Sequence, residues 1–371
     1  MTRSHYLRPI PSGPILEGQQ DPTTSECTER LAGWGNAGFT HLELISREDD
    51  GAVHRKLISA WGQAGFNSSD WHHPPFNGRE MWETFENIIR LRQPYAGLSM
   101  DRPRLMGIVN VTPDSFSDGG QLTSVQAAID HGLKLADEGA DILDIGGEST
   151  RPGSDPVALD EELRRVIPVI EGLRAKTKAL ISVDTRKSEV MARAAASGAD
   201  ILNDVSAFTH DPEALKTAAE TKLPVMLMHA QGDPKTMNDS PRYSDVVLDV
   251  FDFLEARIKA CEAAGIPKSK IVADPGIGFG KHLHHNVTVL ANMAIYHGLG
   301  VPVLLGASRK KLIGQLCNVD DPKARVYGSI AAALSGIAQG VQIIRVHDVA
   351  ASRQAISVWR AVSSGSEAGL A

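Results

Sequence analysis

The chain has 371 residues, 42% of them hydrophobic and 22% charged, and a formal net charge of −7. That length holds a full-size catalytic domain with something smaller beside it, and the composition is that of an ordinary globular protein. The acidic balance argues against a nucleic-acid or membrane-surface role, since those partners call for basic patches. Three cysteines, Cys27, Cys261 and Cys317, lie far apart and share no metal-ligand spacing. An odd cysteine number makes a poor disulfide framework, so a reducing, cytoplasmic setting is expected. The opening "MTRSHYLRPIPSGPILEG" lacks the apolar core of a signal peptide. No run approaches the roughly 18 apolar residues of a membrane-spanning helix.

In chain order, the first hundred residues stand apart. Four of the five tryptophans fall there: Trp34, Trp61, Trp71 and Trp82. "GWGNAGFTH" (Gly33 to His41) is echoed by "AWGQAGFNS" (Ala60 to Ser68), and each copy reads as a helix end stopped by glycine and followed by an extended turn. Two copies are too few for a solenoid. His72 and His73 in "WHHPPFNG" are adjacent, so their rings point apart on a strand and diverge on a helix, which speaks against a metal site. "RQPYAGLSMDRPR" then reads as a linker. Residues 1–100 are expected to form a small accessory domain, 101–361 the catalytic domain and 362–371 a flexible tail.

From Leu105 the pattern becomes regular. Eight apolar runs of strand length recur: "LMGIVNV", "DILDIGG", "LISVD", "ILNDV", "PVMLMH", "IVADPG", "PVLLGAS" and "IIRVHD". Helix-like stretches such as "SVQAAIDHGLKLADEGA" and "KSEVMARAAASGA" lie between them. Apolar strands alternating with amphipathic helices predict a parallel sheet covered on both faces. Eight units match the size of a (β/α)8 TIM barrel, an α/β fold. An open doubly wound sheet is the rival, but the first turn lacks G-x-G-x-x-G.

Chemistry in such a barrel sits at the C-terminal strand ends. Those ends carry Asn110, Glu148 with Thr150 and Arg151, Asp184, Asn203 with Asp204, His229, Asp274, Ser308 with Arg309 and Lys310, and Arg345 with His347. Any one of them could be a cap or turn residue. A polar group at all eight ends points to a site. Lys310 and Arg345 come from strands seven and eight, where barrels often bind phosphate. Asp184, Asn203 and Asp274 suit a flat heterocycle bearing several N–H groups. Asn110 could contribute one oxygen to Mg2+, a cation that keeps several waters and shares substrate phosphates. No G-x-S-x-G or H-E-x-x-H is present, so covalent catalysis and zinc hydrolysis find no support. The segment "NVTPDSFSDGG", after the first of these runs, is too polar and turn-rich to build a core.

Together "NVTPDSFSDGG", "DIGGESTRPG", "SVDTRK", "ILNDVS", "ADPGIGFGK", "GASRKKLIG" and "RVHDV" closely resemble the dihydropteroate synthase family of the folate pathway, from about Leu105 to Trp359. The resemblance implies a transferase that joins (7,8-dihydropterin-6-yl)methyl diphosphate to 4-aminobenzoate, releasing diphosphate. It implies pterin contacts from Asp184, Asn203, Asp274 and Lys310, with Phe279 and Gly306 shaping the slot. It implies diphosphate contacts from Asn110, Arg151, Arg345 and His347, with Mg2+ near Asn110. The aminobenzoate site would be lined by Phe116, Thr150, Pro152 and Ser308. Asp118 would come from a mobile first loop that closes over the reacting centre. Catalytic roles would thus fall to Asp118, Asn110, Arg345 and Lys310. A homodimer and competitive inhibition by sulfonamides are further expectations of the resemblance. A corrinoid methyltransferase of the pterin-binding type would have no use for Lys310, Arg345, His347 or "STRPG", and a non-catalytic homologue would be expected to lose those residues.

Overall fold

The computed structural model describes residues 4–13, 29–32, 34–60, 78–111, 121–149, 153–232, 235–237 and 239–365. The chain opens with four strands: β1 (His5–Gly13), β2 (Glu29–Leu31), β3 (Trp34–Arg47) and β4 (Val53–Ser59). All pair antiparallel to the long β3, with β1 along one edge and β2 and β4 along the other. The first copy of the glycine-bearing repeat is therefore the start of a strand, not a helix end. Pairing on both edges holds Gly38 and Phe39 extended, and this tertiary pairing overrides the local glycine signal. Most of the second copy, and His72 and His73, lie outside the described residues.

Helix α1 (Gly78–Ile89) follows and packs beside this sheet, burying Met81, Phe85 and Ile88. The barrel then runs β5 (Arg104–Asn110), α2 (Gln121–Asp137), β6 (Ile142–Gly146), α3 (Leu159–Arg174), β7 (Leu180–Asp184), α4 (Ser188–Ala196), β8 (Ile201–Asp204) and α5 (Ala214–Thr221). Its second half is β9 (Val225–Met228), α6 (Val246–Ala263), β10 (Ile271–Asp274), α7 (Leu283–Ala291), β11 (Leu304–Leu305), α8 (Lys311–Cys317), α9 (Val326–Ala338), β12 (Ile343–Val346) and α10 (Val349–Ser364). The eight barrel strands are parallel, in the order β10-β9-β8-β7-β6-β5-β12-β11. A bridge between Ala273 and Val303, with Ala273 N–H donating to Pro302 O at 3.0 Å, joins the two ends. The expected TIM barrel is what forms. Helix α10 continues to Ser364, so residues 362–364, read from sequence as tail, are helical.

Inward side chains change character up each strand. The lower layer is Met106, Ile142, Leu180, Ile201, Met226, Val272, Leu304 and Ile343, one from each strand. Two residues further on, the same inward parity brings Asp144, Ser182, Asn203, Asp274, Gly306 and Arg345, with Ile108 and Met228 as the apolar members. The barrel is thus apolar below and polar above. Its floor is closed by the segment read as a linker: Tyr95, fully buried, and Met100, 2% exposed, cluster with the lower layer, and Tyr95 and Leu98 exchange backbone hydrogen bonds at 2.9 and 2.8 Å.

The N-terminal sheet docks on α6 through charge and packing. The Tyr6 hydroxyl donates to Asp252 at 2.8 Å, Arg47 pairs with Asp249 at 3.0 Å and Asp252 at 3.2 Å, and Arg55 pairs with Asp245 at 2.9 Å. Tyr6 also packs edge-on to Phe251. Asp245 is the N-cap of α6, accepting from Val247 and Leu248 N–H, so Arg55 braces the helix where it starts.

Candidate active site

The polar layer converges on Arg345. From β12, its Nε donates to Asp144 at 2.7 Å and its Nη2 to Asp184 at 2.9 Å. Asn203 Nδ2 donates to both Asp144 oxygens at 3.3 Å. Asp144 is fully buried and absent from the sequence reading, although "ILDIG" contained the signal: a carboxylate two residues past Ile142, on the inward face of a strand. Burial and the neighbouring Asp144 push the Asp184 pKa up to about 7, against the pull of Arg345. Burial opposes the Arg345 charge too, but the two aspartates more than offset it and leave its pKa raised. Asp184 Oδ1 is buried and has no partner among the described residues. A carboxylate oxygen at this position can accept from a donor N–H group.

Across the barrel, Asp274 is 7% exposed; its Oδ1 accepts Gly276 N–H at 2.7 Å, and burial raises its pKa against the pull of Lys310. Lys310 Nζ donates to Ile277 O and stands 4.6 Å from the centre of the Phe279 ring. Gly306 faces this slot. A Cβ there would lie 3.8 Å from each of Arg345 Cβ, Asp274 Oδ2 and Lys310 Nζ, so glycine leaves open a space bounded by all three. Asp184, Asn203, Asp274, Phe279, Gly306, Lys310 and Arg345 are therefore brought together.

At the rim, Ser308 Oγ lies 3.0 Å from His347 Nδ1 and accepts His347 N–H at 3.1 Å, tying the loops after β11 and β12. Arg309, at a left-handed φ of 57°, forks onto Asp348 through Nε at 2.9 Å and through Nη2. Glu148 is held by Arg186 at 2.6 Å and by Lys187, which also grips the buried Glu162. Asp204 accepts from Ser206 and Phe208 N–H and so braces the turn after β8. Phe116, Asp118, Thr150, Arg151 and Pro152 lie outside the described residues.

Asn110 ends β5, half-buried at the mouth. Among the described residues no three His, Cys, Asp or Glu side chains converge to hold a metal ion. A cation beside Asn110 would take one oxygen from the chain and the rest from substrate and water, a donor set that Mg2+ accepts.

Comparison with known proteins agrees with this geometry. Residues 106–347 match the family model described as pterin binding enzyme. The chain is similar to dihydropteroate synthase of Escherichia coli K12, 49% identical over 270 residues that cover 73% of this chain and 95% of that one. It is also similar to the solved structure of Xanthomonas albilineans dihydropteroate synthase with 4-aminobenzoic acid, with a TM-score of 0.68 and 55% identity over 72% of this chain and 96% of that one. A third likeness is to a Yersinia pestis dihydropteroate synthase solved as a sulfonamide drug complex, with a TM-score of 0.70 and 46% identity over 74% of this chain and all of that one.

Proposed function

We propose residue roles and a dissociative route from one premise: the chain belongs to the dihydropteroate synthase family of pterin-binding enzymes, and is a transferase that joins (7,8-dihydropterin-6-yl)methyl diphosphate to 4-aminobenzoate, giving 7,8-dihydropteroate and diphosphate. The observation that carries the roles is the open space at Gly306 bounded by Asp274, Lys310 and Arg345, with Asp184 held on Arg345. Asp184 Oδ1 and Asp274 Oδ2 accept from the pterin N–H groups, Asn203 adds a polar edge, and Phe279 and Gly306 set the slot's width. Lys310 donates to a ring acceptor. Arg345 has given Nε–H and one Nη2–H to carboxylates, so the two Nη1 hydrogens and the second on Nη2 are the donors left for a diphosphate oxygen. Arg151 and His347 supply further donors. Phe116, Thr150, Pro152 and Ser308 line the aminobenzoate site.

The C–O bond to diphosphate breaks first, leaving a resonance-stabilised cation on the pterin methylene. The neutral arylamine nitrogen then attacks that carbon and releases its proton to water. Asp118 is the carboxylate assigned to the developing positive charge. Such a route needs positioning and electrostatic stabilisation, each a matter of several kcal/mol in typical sites, and no activated nucleophile. Asn110 would hold Mg2+ together with the substrate, and the ion would supply charge neutralisation on the diphosphate leaving group.

The test is diphosphate release by purified protein with the pterin diphosphate and Mg2+, with and without 4-aminobenzoate. Release without the amine is the expected result; release strictly dependent on the amine would refute the dissociative order. Across pH, kcat/KM for the pterin diphosphate is expected to fall as pH drops through about 7, because protonation turns Asp184 Oδ1 from acceptor to donor. An unchanged acid limb in Asp184→Asn would remove Asp184 from that role. In the same assay, sulfonamides, which share the arylamine shape of 4-aminobenzoate, are expected to raise its KM and leave kcat alone.

A homodimer fits the outer surface. Helices α9 and α10 flank a groove of about 880 Å3 lined by Tyr327, Ile330, Val358, Trp359 and Val362, with Tyr327 86% exposed. An apolar face of this kind is suited to a second copy of the same chain. Tyr327→Asp with Val362→Asp is expected to give monomers in sedimentation equilibrium; a wild-type protein that is itself monomeric would end the proposal.

A further inference from the structure

The glycine-rich turn after β10, residues 275–281, carries a lysine that the roles above do not use. Lys281 is 4% exposed, yet makes no ion pair among the described residues. A buried lysine without a carboxylate partner is uncommon and calls for a reason. Its ammonium has three donors and three acceptors to meet them: Gly276 O at 2.9 Å, Phe279 O at 3.2 Å and His229 Nδ1 at 2.9 Å. Burial pushes the Lys281 pKa down to about 7, with Asp274 acting against it. Burial and Lys281 hold His229 well below its usual pKa, so its imidazole is neutral and offers Nδ1 as an acceptor.

The turn folds around that ammonium. Gly276 sits at φ +70°, and a Cβ there would lie 1.9 Å from His229 O, so the backbone is pressed against the end of β9. Gly280 O accepts the Tyr243 hydroxyl at 2.7 Å, Gly278 N–H donates to Asn286 Oδ1 at 2.6 Å, and Asn286 Nδ2 donates to Lys281 O at 2.9 Å. Ile277 O, in the same turn, accepts Lys310. Gly276 O and Phe279 O thus converge on Lys281, while Ile277 O, between them in the chain, receives the lysine of the slot.

We propose that Lys281 is a positioning residue for the pterin end of the site: it folds the 275–281 turn around its ammonium and so sets where Ile277 O holds Lys310 and where the Phe279 ring lies. The proposal rests on the reading of Asp274, Phe279 and Lys310 as pterin contacts. It also gives the burial of the lysine a structural purpose: Lys281 joins Phe279 N–H on Gly276 O and supplies a donor to Phe279 O beneath the turn.

The experiment is steady-state kinetics with both substrates varied, on Lys281→Met, Lys281→Arg, His229→Leu and Lys310→Met. Lys281→Met is expected to raise KM for the pterin diphosphate by about tenfold or more and to leave KM for 4-aminobenzoate within about twofold. Lys281→Arg, which keeps the donors, is expected to recover part of that loss. If Lys281→Met does not fold, His229→Leu reads the same link with the lysine retained and is expected to move the same KM in the same direction. Unchanged pterin KM in the folded variant would overturn the proposal, and so would a parallel rise in both KM values with no recovery by arginine. If Lys310→Met raises the pterin KM while Lys281→Met does not, only the positioning role fails. If Lys310→Met also leaves it unchanged, the pterin assignment itself is wrong.

Discussion

Arg345→Met is expected to lose both stability and turnover. The arginine stands between Asp144, fully buried, and Asp184, 8% exposed, and its removal leaves two carboxylates with no counter-charge in a closed barrel. Breaking a buried pair by deleting one partner typically costs about 3–5 kcal/mol, because the remaining charge is stranded. Turnover is expected to fall by roughly 100- to 1,000-fold, the scale of losing one preorganised donor to developing charge. Urea unfolding of the unligated protein measures the first effect and diphosphate release the second. The stability deficit has a definite pH dependence. A carboxylate whose folded pKa is raised contributes stability that is present below its ordinary value of 3.8 and is lost as pH rises through the folded value, about 7 for Asp184 even with the arginine in place. The Asp184 share of the gap between variant and wild type should therefore be small below about pH 7, where Asp184 is protonated with or without the arginine, and open as pH rises above it. Adding Asp144→Asn should narrow the gap at pH 7; a variant with the wild-type urea midpoint would mean that the carboxylates do not depend on Arg345.

Tyr95→Ala is expected to cost about 3–5 kcal/mol, the usual range for emptying a fully buried aromatic site. Tyr95 is fully buried against the apolar lower layer, with Met100 beside it. Its hydroxyl is a buried group without a partner among the described residues. Tyr95→Phe removes that unsatisfied group and keeps the ring, so it is expected to be neutral or slightly stabilising. Thermal or urea unfolding of the two variants separates ring from hydroxyl. Equal losses in both would mean that the hydroxyl has a partner, such as a water, that matters.

The barrel was legible because its strands are buried on both faces, and near-continuous apolar runs survive in one sequence without an alignment. "LISVD" is β7 to the residue, and "IIRVHD" overruns β12 by two. Strand-end polar residues were legible for the same reason, since each terminates such a run. Asp144 was not, because it interrupts a run rather than ending it, and its meaning depends on which parity faces inward. The N-terminal sheet was illegible for a different cause. "GWGNAGFTH" has the glycine punctuation of a helix stop, and only pairing with β1 and β2 makes it a strand. Tyr95 and Met100 were hidden by polar and proline neighbours that gave their segment the look of a linker.

The closed floor also bears on how this chain comes to be folded. Tyr95 and Met100 precede the first barrel strand, while Ile343, which completes the layer they cover, lies on the last. During synthesis the aromatic plug must therefore emerge and wait, unburied, until nearly the whole barrel has followed it. Ring closure and floor closure are one late event that joins the two ends of a long contour, the kind of step that slows folding and leaves apolar surface exposed in the meantime.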